Sequence, residues 1–122
     1  MPVWFDFKYI LPLALVAALV FFNLQARAQF VDPLQAKALV DKGARLVDVR
    51  TQAEYAGGHI QNAINIPLSQ VKARLAAFGD KGSAIVLYCR SGHRSGKAKE
   101  ILEAAGFTQV LNLGGIDRWP TP

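Results

Sequence analysis

The segment that most constrains this chain is residues 84–88, AIVLY, an unbroken apolar run that leads directly into Cys89-Arg90-Ser91-Gly92-His93-Arg94-Ser95-Gly96. A strand with no polar position has no face to turn to water, so it belongs inside a sheet covered on both sides. Shorter apolar runs at residues 45–49, 63–66 and 109–113 repeat this strand signal. Helix punctuation lies between them. Over residues 30–43, Asp32 can cap, Pro33 suits the first position and Gly43 ends the turn, with Leu34, Ala38 and Leu39 as the expected buried stripe. Thr51 and Glu54 form a capping box that opens a short helix ending at Gly57-Gly58. Ser69 is the expected cap of a helix through Phe78 that buries Val71, Leu75 and Phe78, and residues 79–82 read as a turn. A last helix is expected over residues 95–105, closed by Gly106. Alternating strands and helices imply an α/β fold, a parallel sheet with helices on its faces. Ligands bind such sheets beyond the carboxyl ends of the strands, the place where Cys89 falls.

The N-terminus reads differently. Residues 9–24, YILPLALVAALVFFNL, carry no charge; Lys8 precedes them, and Ala26-Arg27-Ala28 has the small-residue spacing of a signal-peptidase site. The run is long for a signal core and short for a span of about 20 residues, so residues 1–28 are expected to be a signal peptide or a membrane anchor. No polar face marks it as a core helix. Residues 29–122 then form one domain of 94 residues, expected in the periplasm or at the cell envelope, and on the membrane if the segment is uncleaved.

From Gln29 onward there are twelve Lys/Arg against eight Asp/Glu, a net charge of +4. No long basic run and no aromatic-basic interleaving occurs, so no nucleic-acid partner is expected. The charge is local instead: Arg90, His93, Arg94, Lys97 and Lys99 follow Cys89 without an intervening acid. That clustering favours a compact anion site. A single cysteine excludes an intramolecular disulfide and a multi-cysteine zinc site, and no metal or cofactor is expected.

The loop itself carries the chemistry. A strand–loop–helix turn aims successive N–H groups into one concavity, and the helix N-terminus adds positive potential. Such settings lower a cysteine pKa from about 8.5 to roughly 3.5–7.5. Cys89 is therefore the candidate nucleophile, and Arg90, Ser91, Gly92, His93, Arg94 and Ser95 are the candidate substrate-binding residues. Arg90 and Arg94 supply forked donors, and Gly92 lets the backbone turn tightly. His93 either donates to an anion or turns to solvent. Arg50 and Glu54 are expected to pair and brace the loop, while His59 is either a base or, in its Gly-His-Ile setting, structural.

These residues resemble the active-site loop of the rhodanese family. Asp48-Val49-Arg50, Glu54-Tyr55, Gly58-His59-Ile60, Ala63-Ile64-Asn65-Ile66-Pro67 and Gly114-Gly115 with Trp119 match that family's pattern in order, from about residue 31 to 119. The arrangement is similar to single-domain periplasmic rhodaneses of bacteria. The resemblance implies a three-layer fold, a mostly parallel central sheet with helices on both faces. It implies two-step sulfur transfer: the Cys89 thiolate takes the outer sulfur of thiosulfate or a similar anionic donor, and a thiophilic acceptor, cyanide or a thiol, removes it from the persulfide. A carrier that hands sulfur to a partner protein would share this loop chemistry. The resemblance also casts Asp48 as an organiser of loop hydrogen bonds. Two alternatives stand beside it. Non-catalytic modules of this fold usually lose the cysteine, whereas cysteine phosphatases and arsenate reductases with a similar loop have five residues between Cys and Arg. Here four separate Cys89 from Arg94, a cradle better sized for one sulfur than for a phosphate. Many relatives continue past the Trp segment, whereas this sequence stops at Pro122, so a shortened final packing element is expected.

Overall fold

A computed structural model describes residues 13–19 and 29–121. Helix α1 (residues 13–19) is followed by α2 (Pro33–Asp41), β1 (Arg45–Asp48), α3 (Gln52–Ala56), β2 (Ile64–Asn65) and α4 (Leu68–Val71). Helix α4 runs on into a 3₁₀ segment, Lys72–Phe78, and then come β3 (Ala84–Cys89), α5 (His93–Ala104), β4 (Gln109–Gly115) and a 3₁₀ turn, Ile116–Arg118. The four strands form one sheet in the order β2-β1-β3-β4, with every pair parallel. Of the N-terminal apolar run, only residues 13–19 are described; the rest, and the proposed cleavage motif at residues 26–28, lie outside the described residues. Among the described residues no helix is long and apolar enough to cross a membrane.

The central strand behaves as its composition requires. Side chains alternate across a strand, so Ile85, Leu87 and Cys89 enter one core while Val86 and Tyr88 enter the other. The first core is closed by Val71 and Phe78 and by Ala98 and Leu102 of α5, with Phe107 edge-on to Phe78 at 6.4 Å. The second is closed by Ala36 of α2 together with Ile60 and Ala63, and Val40, Tyr55 and Trp119 pack against it. This strand parity places the thiol on the α5 side of the sheet, at its carboxyl edge.

Four expectations are corrected. The buried stripe of α2 is Ala36 with Val40 rather than Leu34, Ala38 and Leu39; Leu34 is 71% exposed. Tertiary clamping sets this helix phase: the Val31 N–H donates to Asn112 O at 2.8 Å, and Asp32 caps the Leu34 and Gln35 amides. Ser69 caps nothing; the helix cap falls two residues earlier, at Pro67, where the following Leu68 N–H is drawn to Val49 O at 3.0 Å. Beyond Val71 the chain tightens and kinks at Arg74, where φ is −122° and ψ is 39°, yet Val71 and Phe78 are still buried and Leu75 half-buried. Finally, α5 starts at His93 rather than near Ser95, and β4 extends two residues past the expected end, to Gly115.

Phe78 anchors the kinked segment and is fully buried. Phe78→Ala is expected to lower stability by about 3–5 kcal/mol, as phenylalanine deletions in close-packed cores do. Urea unfolding followed by circular dichroism would measure it, and a loss well under 1 kcal/mol would contradict this packing.

Candidate active site

The site begins with one backbone conformation. β3 ends at Cys89, and three residues later Gly92 turns into the left-handed region, φ 97°, to serve as the N-cap of α5. Only glycine enters that region without strain. Space demands it as well: a Cβ at Gly92 would lie 2.5 Å from the Phe30 ring and 3.1 Å from Gly114 Cα. The turn folds the loop back over the sulfur. The Gly92 N–H donates to Cys89 Sγ at 3.0 Å, the Ser95 N–H lies 3.4 Å away, and the Ser95 hydroxyl is at 3.3 Å. Burial of Cys89 opposes ionisation, but the Ser95 hydroxyl and amide and the Ser91 and Gly92 amides outweigh it and hold the thiol below its ordinary range.

Side chains from distant segments bolt this loop down. Asn112, a polar residue buried within β4, donates from Nδ2 to Gly92 O at 3.2 Å and accepts the Gly114 N–H at 2.9 Å. Gly115 lets β4 pass against the loop, since a Cβ there would meet Arg90 O at 2.5 Å. Arg118 lies 5.3 Å over the Phe30 ring, donating from Nε to Leu113 O at 2.6 Å and from Nη2 to Val31 O at 3.1 Å. None of Asn112, Phe30 and Arg118 is among the site residues expected from sequence. An isolated Asn in an apolar strand was the one available signal.

Two ion pairs form the opposite wall. Asp48 is fully buried and binds Arg50, whose Nη2 reaches Asp48 Oδ2 at 2.6 Å and Gly58 O at 2.7 Å. The Arg50 backbone N–H also donates to Asp48 Oδ1, at 2.9 Å. Glu54 pairs with Arg94 through two parallel bonds of 2.7 and 3.0 Å, and Arg94 is 30% exposed. That bidentate contact holds the Glu54 carboxyl well below the usual carboxylate range, with the Thr51 backbone amide contributing next. The expected Arg50–Glu54 pair is therefore corrected: a buried Asp48 two residues away captures Arg50, and the capping box turns Glu54 toward α5. His59 stacks on Tyr55 at 3.7 Å, and its Nδ1 meets Tyr55 O at 2.9 Å, a local brace on an exposed loop. Arg90, Ser91 and His93 are exposed around the mouth of the loop.

Fold and site together define a class: a parallel α/β domain that presents a thiol, held below its ordinary range and ringed by amides, at the carboxyl edge of its sheet. This chain belongs to the rhodanese family, whose model, the rhodanese-like domain, matches residues 32–121. Thiosulfate sulfurtransferase PspE of Escherichia coli (strain K12) is 49% identical over 71 residues, 57% of this chain and 68% of that protein. A solved structure described as a rhodanese with anions from E. coli has a TM-score of 0.62 at 44% identity, covering 66% of this chain and 95% of the other. The human single-domain sulfurtransferase TSTD1 has a TM-score of 0.66 at 31% identity, covering 72% and 90%.

The Ser95 hydroxyl stabilises the thiolate, so its removal raises the Cys89 pKa and lowers the thiolate fraction at neutral pH. Ser95→Ala is expected to slow iodoacetamide alkylation there by about fivefold, the equivalent of one hydrogen bond of about 1 kcal/mol. The rate–pH curve should move to higher pH; a curve that stays put would show that the backbone amides alone set the thiolate.

Proposed function

We propose that this protein is a sulfurtransferase that carries sulfane sulfur as a persulfide on Cys89. The observation that carries the reading is the convergence of the Gly92 and Ser95 amides and the Ser95 hydroxyl on Sγ. The thiolate attacks the outer sulfur of thiosulfate; the donor's S–S bond breaks, and sulfite leaves with the electron pair. The nucleophile of a thiophilic acceptor then attacks the outer sulfur of the persulfide, the Cys89 S–S bond breaks, and the thiolate returns. Cyanide leaves as thiocyanate, and a thiol, having lost its proton, leaves as a persulfide. Arg90 and Arg94, with Ser91 and His93 at the mouth, hold the anionic donor while the loop amides stabilise the charge on sulfur. A protein acceptor would use the same step. Asp48, Arg50, Glu54 and His59 act through structure, holding the loop and its neighbours in place.

The retained cysteine argues against a non-catalytic module, and the four-residue spacing argues against phosphatase or arsenate reductase chemistry. Intact-mass measurement after incubation with thiosulfate should find one added sulfur on the wild type and none on Cys89→Ser. That variant should keep its circular dichroism spectrum while losing thiosulfate-to-cyanide transfer. Substantial residual transfer, or strong aryl phosphate hydrolysis by the wild type, would overturn the proposal.

The reading extends to location. Residues 9–24 are an uncharged apolar run, and Leu13, Leu15, Val16 and Leu19 of α1 are exposed. A signal peptide or membrane anchor delivering the domain to the periplasm or cell envelope accounts for both. Cell fractionation should find the domain in periplasmic or membrane fractions, and full-length protein recovered only from soluble cytosol would refute it.

A further inference from the structure

A groove of about 240 Å³ opens beside the cysteine loop, lined by Val49, Thr51, Pro67, Leu68, Ser69 and Arg94. One of its lining residues neighbours the nucleophile in the sheet. Val49 donates its N–H to Tyr88 O at 3.0 Å, so it runs alongside Cys89, and both side chains enter the same core. Leu68, whose N–H binds Val49 O, forms the next part of the wall. The lining is an apolar body with one cation at its edge: Val49, Pro67 and Leu68 supply the body, Ser69 stands exposed at the rim, and Arg94 supplies the charge.

Arg94 retains binding capacity. A guanidinium has five N–H groups, and Glu54 takes one from each terminal nitrogen. The Glu54 oxygen that meets Nη1 already receives the Thr51 amide and hydroxyl as well, at 3.2 and 3.0 Å. The remaining Arg94 donors are free, among the described residues, for a second carboxylate.

We propose that this groove is the acceptor subsite and takes a small organic thiol with a short apolar body and a terminal carboxylate, the carboxylate on Arg94 and the sulfur directed at the Cys89 persulfide. The proposal rests on the sulfurtransferase reading. The acceptor thiolate attacks the outer sulfur of the persulfide, the bond from that sulfur to Sγ breaks, and the acceptor departs as its own persulfide. Cyanide has no body to lodge in the groove, so the two acceptor types separate the groove from the cradle.

The test starts from protein loaded with thiosulfate and freed of donor, with one added sulfur verified by intact mass. Discharge in a single turnover is then timed with cyanide, with neutral mercaptoethanol and with mercaptopropionate. Ser69→Trp, at an exposed position, fills the groove. It should slow discharge to mercaptopropionate about tenfold, a loss typical of a displaced specific contact, and leave cyanide unchanged. In the wild type, excess propionate should slow mercaptopropionate and spare cyanide, which keeps the test independent of how the variant folds. Equal slowing of both acceptors, or slowing of neither, overturns the subsite. Failure to gain sulfur at the loading step overturns the sulfurtransferase reading and the subsite with it.

Discussion

Everything at this site depends on two amides and a hydroxyl being aimed at one sulfur atom from within a stretch of seven residues. Backbone N–H groups in solution would be satisfied by water and would point outward. Here the left-handed turn at Gly92 reverses the chain, and the first turn of α5 brings Ser95 back over Cys89. The demand propagates outward. A loop held this tightly needs a rigid floor, which the doubly covered strand β3 supplies, and a backing without side chains, which Gly92, Gly114 and Gly115 supply against Phe30, Arg118 and Arg90. Asn112 then joins loop and floor through one side chain, using both ends of its amide.

The two ion pairs divide the remaining work by depth. Asp48 and Arg50 lie within the protein, where an unpaired charge would be costly to bury and a paired one contributes position more than net stability. Every contact they make is consistent with that: the pair closes back on Gly58 O, while Asn65 donates to the carbonyls of both residues. The charge is spent internally and projects little toward the cradle. Glu54 and Arg94 are half-buried, straddle α3 and α5, and leave guanidinium donors without a partner among the described residues. Positive potential at the mouth therefore comes from the amides, the start of α5 and the exposed Arg90, with Arg94 partly offset. That is a setting for a soft, singly charged sulfur more than for a dense phosphate.

Local rules read the sequence correctly where the determining partners are close in the chain. The strand at residues 84–88, the Thr51–Glu54 capping box, the Asp32–Pro33 helix start and the glycine in the cysteine loop are all of this kind. They failed where a distant segment decides. The phase of α2 is set by Val31 bonding to β4, some eighty residues away, and no periodicity within the helix reports that. Arg50 and Glu54 look like a natural pair in sequence, but each has a better partner: Asp48 inside the fold, and Arg94 forty residues on. Phe30 and Arg118 meet only because the two ends of the domain are brought together beneath the loop. Tyr88 shows the same limit in one side chain. It reads as part of an apolar run, yet its hydroxyl accepts the Ile60 N–H inside the core.

The burial of Cys89 raises one physical objection to group transfer: a sulfur only 1% exposed must meet two different reactants. The geometry answers it through the length of one bond. A persulfide adds a second sulfur about 2.05 Å beyond the first, and Arg90, Ser91 and His93 of the same loop are exposed. In the proposed cycle the inner sulfur is both nucleophile and leaving group and gains from being enclosed, because enclosure keeps its stabilising donors free of competing water. The outer sulfur is the one that changes hands and need only reach the rim. A five-residue loop would widen the ring and centre its donors farther out, where a bound oxyanion would sit. A four-residue loop draws them in onto the sulfur itself, so the same spacing that favours the thiolate before transfer favours its return as leaving group afterwards.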